Sequence, residues 1–139
     1  MRKASWILLT IMGVLTLLVS FASAGLAYSS NNYPTGGVPV VDVAAGRPGL
    51  EAALRGVRGT SAAYAAAYAV LYLFVVLGPY RRGERWAWWA LLVTLMVLVI
   101  ITALRVPTLH ILMGVSAPAI QGAVVLVALL LDVGRLKKA

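Results

Sequence analysis

Six residues have side chains suited to ligand binding or acid–base work, and all six are expected on one side of the fold. Their arginines offer forked guanidinium donors that suit a carboxylate, a phosphate or a lipid headgroup. The single histidine is expected in the first turn of a helix, where the helix dipole disfavours its protonated form. The candidate ligand-binding residues are Asp42, Glu51, Arg55, Arg58, Arg105 and His110. The alternative interpretation is that the arginines pair with Asp42 and Glu51 and serve structure alone.

Tyr68 and Gln121 are the remaining candidates for ligand binding. Their hydroxyl and amide groups suit a quinone bound between helices. Tyr64, Tyr68 and Tyr72 also follow one another at four-residue steps, which places them on one ridge of a helix. The competing interpretation is therefore that this ridge is a packing stripe.

The groups that enzymes and metalloproteins require do not accompany His110. The sequence contains no serine nucleophile motif, no paired catalytic carboxylates and no cluster with metal-ligand spacing. Its glycine-rich pieces match neither a dinucleotide-binding fingerprint nor a P-loop. Cysteine is absent, which excludes disulfides, thiolate metal sites and cysteine nucleophiles. The sequence predicts no catalytic residue, no metal site and no resident cofactor, with a bound quinone or lipid as the alternative.

The composition identifies the kind of fold that must position these residues. Of 139 residues, 62% are hydrophobic and 12% charged, and the mean hydropathy is +0.94. One small soluble core cannot bury so much apolar side chain, so we predict an integral membrane protein. The net charge of +8 does not indicate nucleic-acid binding, because the basic residues punctuate apolar runs rather than line one polar face.

Four apolar runs predict an all-α, four-helix membrane bundle in a single domain. The predicted spans are 6–28, 61–78, 86–104 and 109–131. About 20 helical residues cross the hydrocarbon core of a bilayer. The first run follows Arg2-Lys3 and contains Ala22-Ser23-Ala24, which also fits a cleaved signal peptide. Its length favours a retained helix.

Residues 29–60 are predicted to form a long outer loop and a short amphipathic helix. Turn-forming residues dominate from Ser29 to Arg47, and Pro48 suits the first turn of a helix. Glu51 precedes Arg55 by four residues, the better orientation for a helical ion pair. This helix is expected either at the membrane surface or as the outer end of the second span. Gly78-Pro79 is expected to end that span, and Pro118 to kink the fourth.

The distribution of positive charge predicts the orientation in the membrane. Four spans place both termini and the turn at Arg81 on one side, and the loop and Arg105 on the other. Eight Lys and Arg residues fall on the first side and four on the second, so both termini are expected in the cytoplasm. Cleavage of the first run would leave the C-terminus cytoplasmic. With four spans and both termini in the cytoplasm, the outer face carries Asp42, Glu51, Arg55, Arg58, Arg105 and His110.

The basic turn and the tryptophans after it carry a resemblance to a known group. The sequence Arg81-Arg82-Gly83-Glu84-Arg85-Trp86-Ala87-Trp88-Trp89 follows an alanine-rich span that begins after Arg55-Gly56-Val57-Arg58-Gly59. Over the second and third spans it resembles small bacterial four-helix membrane proteins of the DoxX-like type. The resemblance implies a four-helix bundle, and some members of the group are associated with quinone-linked respiratory complexes. It implies no catalytic residue for this chain.

These observations favour a non-enzymatic protein of the bacterial inner membrane. We expect it to act by helix association, as an accessory subunit of a membrane complex or as a homo-oligomer, with lipid and other membrane subunits or itself as partners. The alternative is binding or transport of an amphipathic or anionic small molecule through the outer arginines. A third interpretation is a component of a quinone-linked membrane oxidoreductase.

Overall fold

The computed structural model of the chain describes residues 2–29, 34–35, 37–104, 106–107 and 116–137, and most of them are helical. The longer helices are α1 (Arg2–Ser29), α3 (Pro48–Val75), α4 (Arg85–Ala103) and α5 (Ser116–Leu130). Shorter elements are β1 (Pro34–Thr35), β2 (Val38–Pro39), α2 (Val40–Ala44), a π-helix (Val76–Tyr80) and a 3-10 helix (Val133–Lys137). The expected all-α class is confirmed.

Three helices are long and apolar enough to cross a membrane, and they fit a membrane protein. They cover Ala4–Ser29, Pro48–Tyr80 and Arg85–Ala103. The fourth predicted span, 109–131, appears as helix from Ser116 onward, while residues 108–115 lie outside the described part of the chain. The count of four spans therefore stays a prediction. Gly114, on which the expected kink depends, also lies outside the described residues, and Pro118 lies within α5.

The predicted amphipathic helix and the predicted second span form one continuous helix, α3. The carbonyl of Arg47 accepts hydrogen bonds from the N–H groups of Leu50 and Glu51, so Pro48 occupies the first helical position as predicted. The sequence left two possibilities for the amphipathic helix, a separate helix at the membrane surface or the outer end of the second span. In the structure it is the N-terminal end of the helix that contains the second span. Gly56 and Gly59 do not break the helix, since an interior glycine costs only about 1 kcal/mol.

The second span does not end at Gly78-Pro79, which corrects the expectation from the sequence. The chain passes Pro79 in the π-helix, where the N–H of Arg81 bonds the carbonyl of Val76. The wider turn accommodates a residue that lacks a donor. The helix stops at Gly83, whose φ is 98°. Gly83 and Glu84 donate to the carbonyls of Tyr80 and Pro79, which is the Schellman arrangement of a helix end.

The stretch predicted as an irregular loop from Ser29 to Arg47 contains regular structure. β1 and β2 pair antiparallel, with Pro34 opposite Pro39 and Thr35 opposite Val38. α2 follows directly and ends at Ala45 and Gly46, which both have positive φ. Among the described residues of this stretch, Gly37 and Gly46 lie in turns as their type indicates, and they mark the ends of short elements.

Contacts within the chain divide it into two compact units. The first combines Met1–Val14 with Leu71–Ala139, and the second covers Leu15–Val70. In the first unit, α4 and α5 pack antiparallel, and a Cβ at Gly122 would lie 3.5 Å from Leu95 Cδ1 and 3.4 Å from Val99 Cγ2. The approach at Gly13 of α1 is closer, since a Cβ there would lie 2.6 Å from Leu73 Cδ2 and 3.0 Å from Tyr72 Cδ1. In the second unit, the Tyr28 ring lies against α3 at Gly59. Small residues thus allow close helix contact.

Candidate functional site

The structure gives a partial picture of the candidate residues on the predicted outer face. Glu51 and Arg55 form the expected ion pair, with 2.9 Å between Oε1 and Nη2. Arg58 follows Arg55 by three residues on α3 and is half-buried, and Asp42 is exposed on α2. All four belong to the second unit. Arg105 and His110 lie outside the described residues, so the assembly of the whole set stays a prediction.

Tyr68 belongs to the second unit and Gln121 to the first, and both side chains are half-buried. The three tyrosines of α3 do not share one environment, because the exposed fraction falls from 75% at Tyr64 to 5% at Tyr72. Four residues advance a helix by about 40° beyond a full turn. Each step therefore rotates the tyrosine ridge, and it passes from the surface of the chain into its interior.

Sequence reasoning missed a buried polar cluster in the first unit, formed by Ser5, Tyr80, Trp88 and Asp132. Ser5 Oγ lies 2.6 Å from the Tyr80 hydroxyl oxygen and 2.7 Å from the carbonyl oxygen of Ala128. Only the serine can donate to that carbonyl, so the tyrosine hydroxyl donates to Ser5 Oγ. The resulting chain of two hydrogen bonds ties α1 and the π-helix to the last turn of α5.

Trp88 supplies a second bond to the same end of α5. Its Nε1 donates to the carbonyl of Leu129 over 3.0 Å, and the backbone N–H of Asp132 donates to that carbonyl over 3.1 Å. The last carbonyls of a helix lack partners within it. Side chains of α1 and α4 therefore complete the hydrogen bonding of this helix end, where the Asp132 residue is only 2% exposed.

The basic turn lies at this same end of the first unit. The Arg81 guanidinium carbon stands 5.1 Å from the centroid of the Trp6 ring, a cation–π distance. Glu84 accepts a 2.6 Å hydrogen bond from Trp86 Nε1, and its other oxygen lies 4.0 Å from Arg82 Nε. The start of α1, the segment from Tyr80 to Trp88 and the end of α5 are thus connected by side-chain contacts.

The sequence carried partial signals for this cluster. Ser5 is a polar residue at the start of an apolar run, Trp88 lies between two other tryptophans, and Asp132 ends an apolar run. None of these signals identifies a partner. The pairings depend on which residues of α1, α4 and α5 face one another, and only the tertiary structure decides that.

The described residues contain no group of three or more His, Asp or Glu side chains placed to hold a metal ion. The buried cluster instead joins three helices and the π-helix, and its bonds are those of a structural junction. Comparison with protein-family models, with curated proteins and with solved structures finds no match. The resemblance to DoxX-like proteins therefore stays a prediction.

Proposed function

We propose that the chain is a multi-pass protein of the cytoplasmic membrane, with both termini in the cytoplasm, that acts by helix association. Its partners are other subunits of a membrane complex or further copies of itself. The observation that carries this proposal is a difference in composition between the exposed surfaces of α3 and α4.

The aromatic residues support a position in the bilayer. Trp6, at the start of α1, and Trp86, at the start of α4, both lie beside the basic turn. Tyr28, near the other end of α1, is exposed. Tyr28 follows Trp6 by 22 positions, which is about 33 Å of helix and matches a hydrocarbon core of about 30 Å. Aromatic rings at both boundaries are typical of a membrane-spanning helix.

The exposed surface of α4 suits lipid. Its exposed apolar residues in the middle of the helix are Val93, Met96, Val97, Val99, Ile100 and Ile101. They are aliphatic or thioether side chains, and Thr94 is the only polar residue exposed beside them. The hydroxyl of Thr94 bonds the carbonyl of Ala90 in its own helix, which satisfies it without a partner chain.

The exposed surface of α3 suits another helix. From Gly56 to Ala67, the part that we propose for docking, it consists largely of small or hydroxyl-bearing residues, namely Gly56, Thr60, Ser61, Ala63, Tyr64 and Ala67, with Val57 as the large apolar exception. The exposed residues that follow toward the C-terminal end of α3, Val70, Leu71 and Phe74, are large and apolar like those of α4. Small residues allow two backbones to approach closely, and hydroxyl groups form hydrogen bonds between helices. Ala63 and Ala67 are one turn apart and lie on the same face. This surface supports docking through α3 rather than exposure of α3 to lipid.

Native mass spectrometry of the protein, extracted gently from its own membrane, tests the proposal. We expect a homo-oligomer, or other subunits in fixed ratio. Replacing Ala63 and Ala67 by leucine should abolish the assembly, because the larger side chains hold the docked helix away. Replacing Val93 and Val97 of α4 by leucine is the control at the other surface, a smaller enlargement to the same side chain, and it should preserve the assembly.

The four substituted positions are exposed within the chain, so both variants should keep its helix content. Circular dichroism in detergent checks this directly. Recovery of the native protein as a monomer without protein partners would contradict the proposal. Loss of assembly in the α4 variant as well would show that α3 is not the docking surface.

A further inference from the structure

We propose that the basic turn binds the headgroup of an anionic phospholipid. The surface comprises Arg81, Arg82, Arg85, Trp86 and Trp89, and the proposal rests on the membrane placement proposed above. Its three guanidinium groups and one carboxylate, Glu84, give a local charge of +2. Arginine donors match the geometry of a phosphate diester, and the tryptophans match the depth of a headgroup.

The turn that presents these side chains is well anchored. Tyr80, directly before Arg81, is fully buried and donates its hydroxyl hydrogen to Ser5. Gly83 closes the preceding helix end through two backbone hydrogen bonds. A fixed turn reduces the conformational entropy lost on binding, so its arginines can bind a headgroup more tightly than a flexible basic tail can.

Arg81 is held in position by Trp6. The guanidinium carbon lies over the Trp6 ring, 5.1 Å from its centroid. A cation–π contact holds the charge through the ring face and does not use a carboxylate or phosphate acceptor, so the group can still donate to a phosphate. The Trp6 ring belongs to α1 and is half-buried, so it is itself a stable support. We infer that Trp6 positions Arg81 for the phosphate without contacting the phosphate itself.

Arg85 adds positive potential at the start of α4. It is exposed and is the first residue of that helix. The N-terminus of a helix is the positive end of its dipole, so the dipole does not stabilise the Arg85 cation but does stabilise an anion bound there. Glu84, the adjacent carboxylate, accepts a hydrogen bond from Trp86. An external anion would therefore be attracted by Arg85, by the helix dipole and by the remaining arginines together.

Trp86 and Trp89 bring the phosphate within reach of the arginines. Their exposed fractions are 55% and 53%, and both flank the arginine turn at the start of α4. Indole rings settle at the boundary between headgroups and acyl chains. Rings at this depth place the guanidinium groups of the turn at the level of the phosphates.

Quenching of tryptophan fluorescence by brominated phospholipids tests the proposal. The chain has four tryptophans, at positions 6, 86, 88 and 89, so the fluorescence reports only on this end of the protein. The full chain is reconstituted in phosphatidylcholine vesicles containing either brominated phosphatidylglycerol or brominated phosphatidylcholine. We expect the anionic lipid to bind beside the tryptophans with at least about fivefold higher affinity.

The variants separate local binding from general attraction. Arg81→Gln should lower the preference for the anionic lipid by about fivefold. Trp6→Leu should lower it as well, and the double variant should lose no more than Arg81→Gln alone, because both changes remove the same positioned group. Arg47→Gln is the matched control, since Arg47 is an exposed arginine in the connection before α3. It should leave the preference unchanged.

Each remaining outcome contradicts a defined part of the proposal. Equal quenching by the two lipids would overturn headgroup binding while leaving the membrane placement intact. An equal loss in Arg47→Gln would show attraction to the total charge instead of to this surface. Additive effects of Trp6→Leu and Arg81→Gln would overturn the positioning role of Trp6. Absence of quenching by both lipids would overturn the membrane placement itself.

Discussion

At the scale of single residues, two buried serines on α1 show how context decides what a hydroxyl does. Ser20 donates to the carbonyl of Thr16 in its own helix over 2.7 Å. Ser5 donates instead to Ala128 on another helix and accepts from Tyr80. Both serines are nearly inaccessible to solvent. Their sequence surroundings are alike, but only Ser5 joins separate elements.

Substituting these serines should therefore have unequal effects. Ser5→Ala removes two hydrogen bonds between elements, and we expect a loss of about 1–3 kcal/mol in the free energy of unfolding. Ser20→Ala removes only a bond within α1, so the expected change is within about 0.5 kcal/mol. Unfolding of the two variants by denaturant in mixed micelles measures the difference. Similar losses would show that the Ser5 junction does not stabilise the fold.

At the scale of elements, α1 and α3 approach each other closely within the first unit at Gly13. A Cβ at this position would lie 2.8 Å from Leu73 Cγ and 3.0 Å from Tyr72 Cδ1. Gly25 is on the same helix, but a Cβ there would meet no heavy atom of the described chain within 4 Å. The two glycines thus separate the effect of helix contact from the effect of glycine on the helix itself.

Alanine at the two positions gives a matched comparison. Gly13→Ala should reduce the free energy of unfolding relative to Gly25→Ala by about 1–3 kcal/mol, because the new methyl group overpacks the contact with Leu73. Gly25→Ala alone should be neutral or stabilising, since alanine favours the helix. Thermal unfolding followed by circular dichroism checks both values. Equal stability of the two variants would contradict the close contact at Gly13.

At the scale of the whole molecule, the contacts of the first unit bring the basic turn and the ends of α1 and α5 together. Ser5 contacts both Tyr80 and Ala128, and Trp88 contacts Leu129. Eight of the twelve Lys and Arg residues lie in these segments or directly after them in the sequence, and the other four are Arg47, Arg55, Arg58 and Arg105. The positive-inside bias predicts that these charged segments remain in the cytoplasm, and the orientation stays a prediction.

Labelling of introduced cysteines tests that orientation. The native chain has no cysteine, so a single Arg82→Cys or Val43→Cys provides one reactive site on an exposed residue. In intact cells, a membrane-impermeant maleimide should label Val43→Cys and should reach Arg82→Cys only after the membrane is opened. The reverse pattern would invert the topology. Labelling of both in intact cells would show that the two sites are not separated by a membrane.

The sequence by itself determined the all-α class and several local features. Its apolar runs predicted the long helices, since about 20 apolar residues in succession favour a membrane helix. Pro48 was correctly placed at the first helical position, and the Glu51–Arg55 pair follows from spacing within one helix. These features depend only on interactions between residues close in the chain, which is why the sequence could predict them.

Only the tertiary structure decided which residues meet across helices. The Ser5–Tyr80 pair spans 75 positions and the Ser5–Ala128 pair 123, so no local pattern specifies them. Local breaker rules also failed at Pro79, where a π-helix carries the chain onward to a glycine that ends the helix. Hydrogen-bond partners for a buried helix end are set by the packing of separate helices, and that packing is a property of the folded chain.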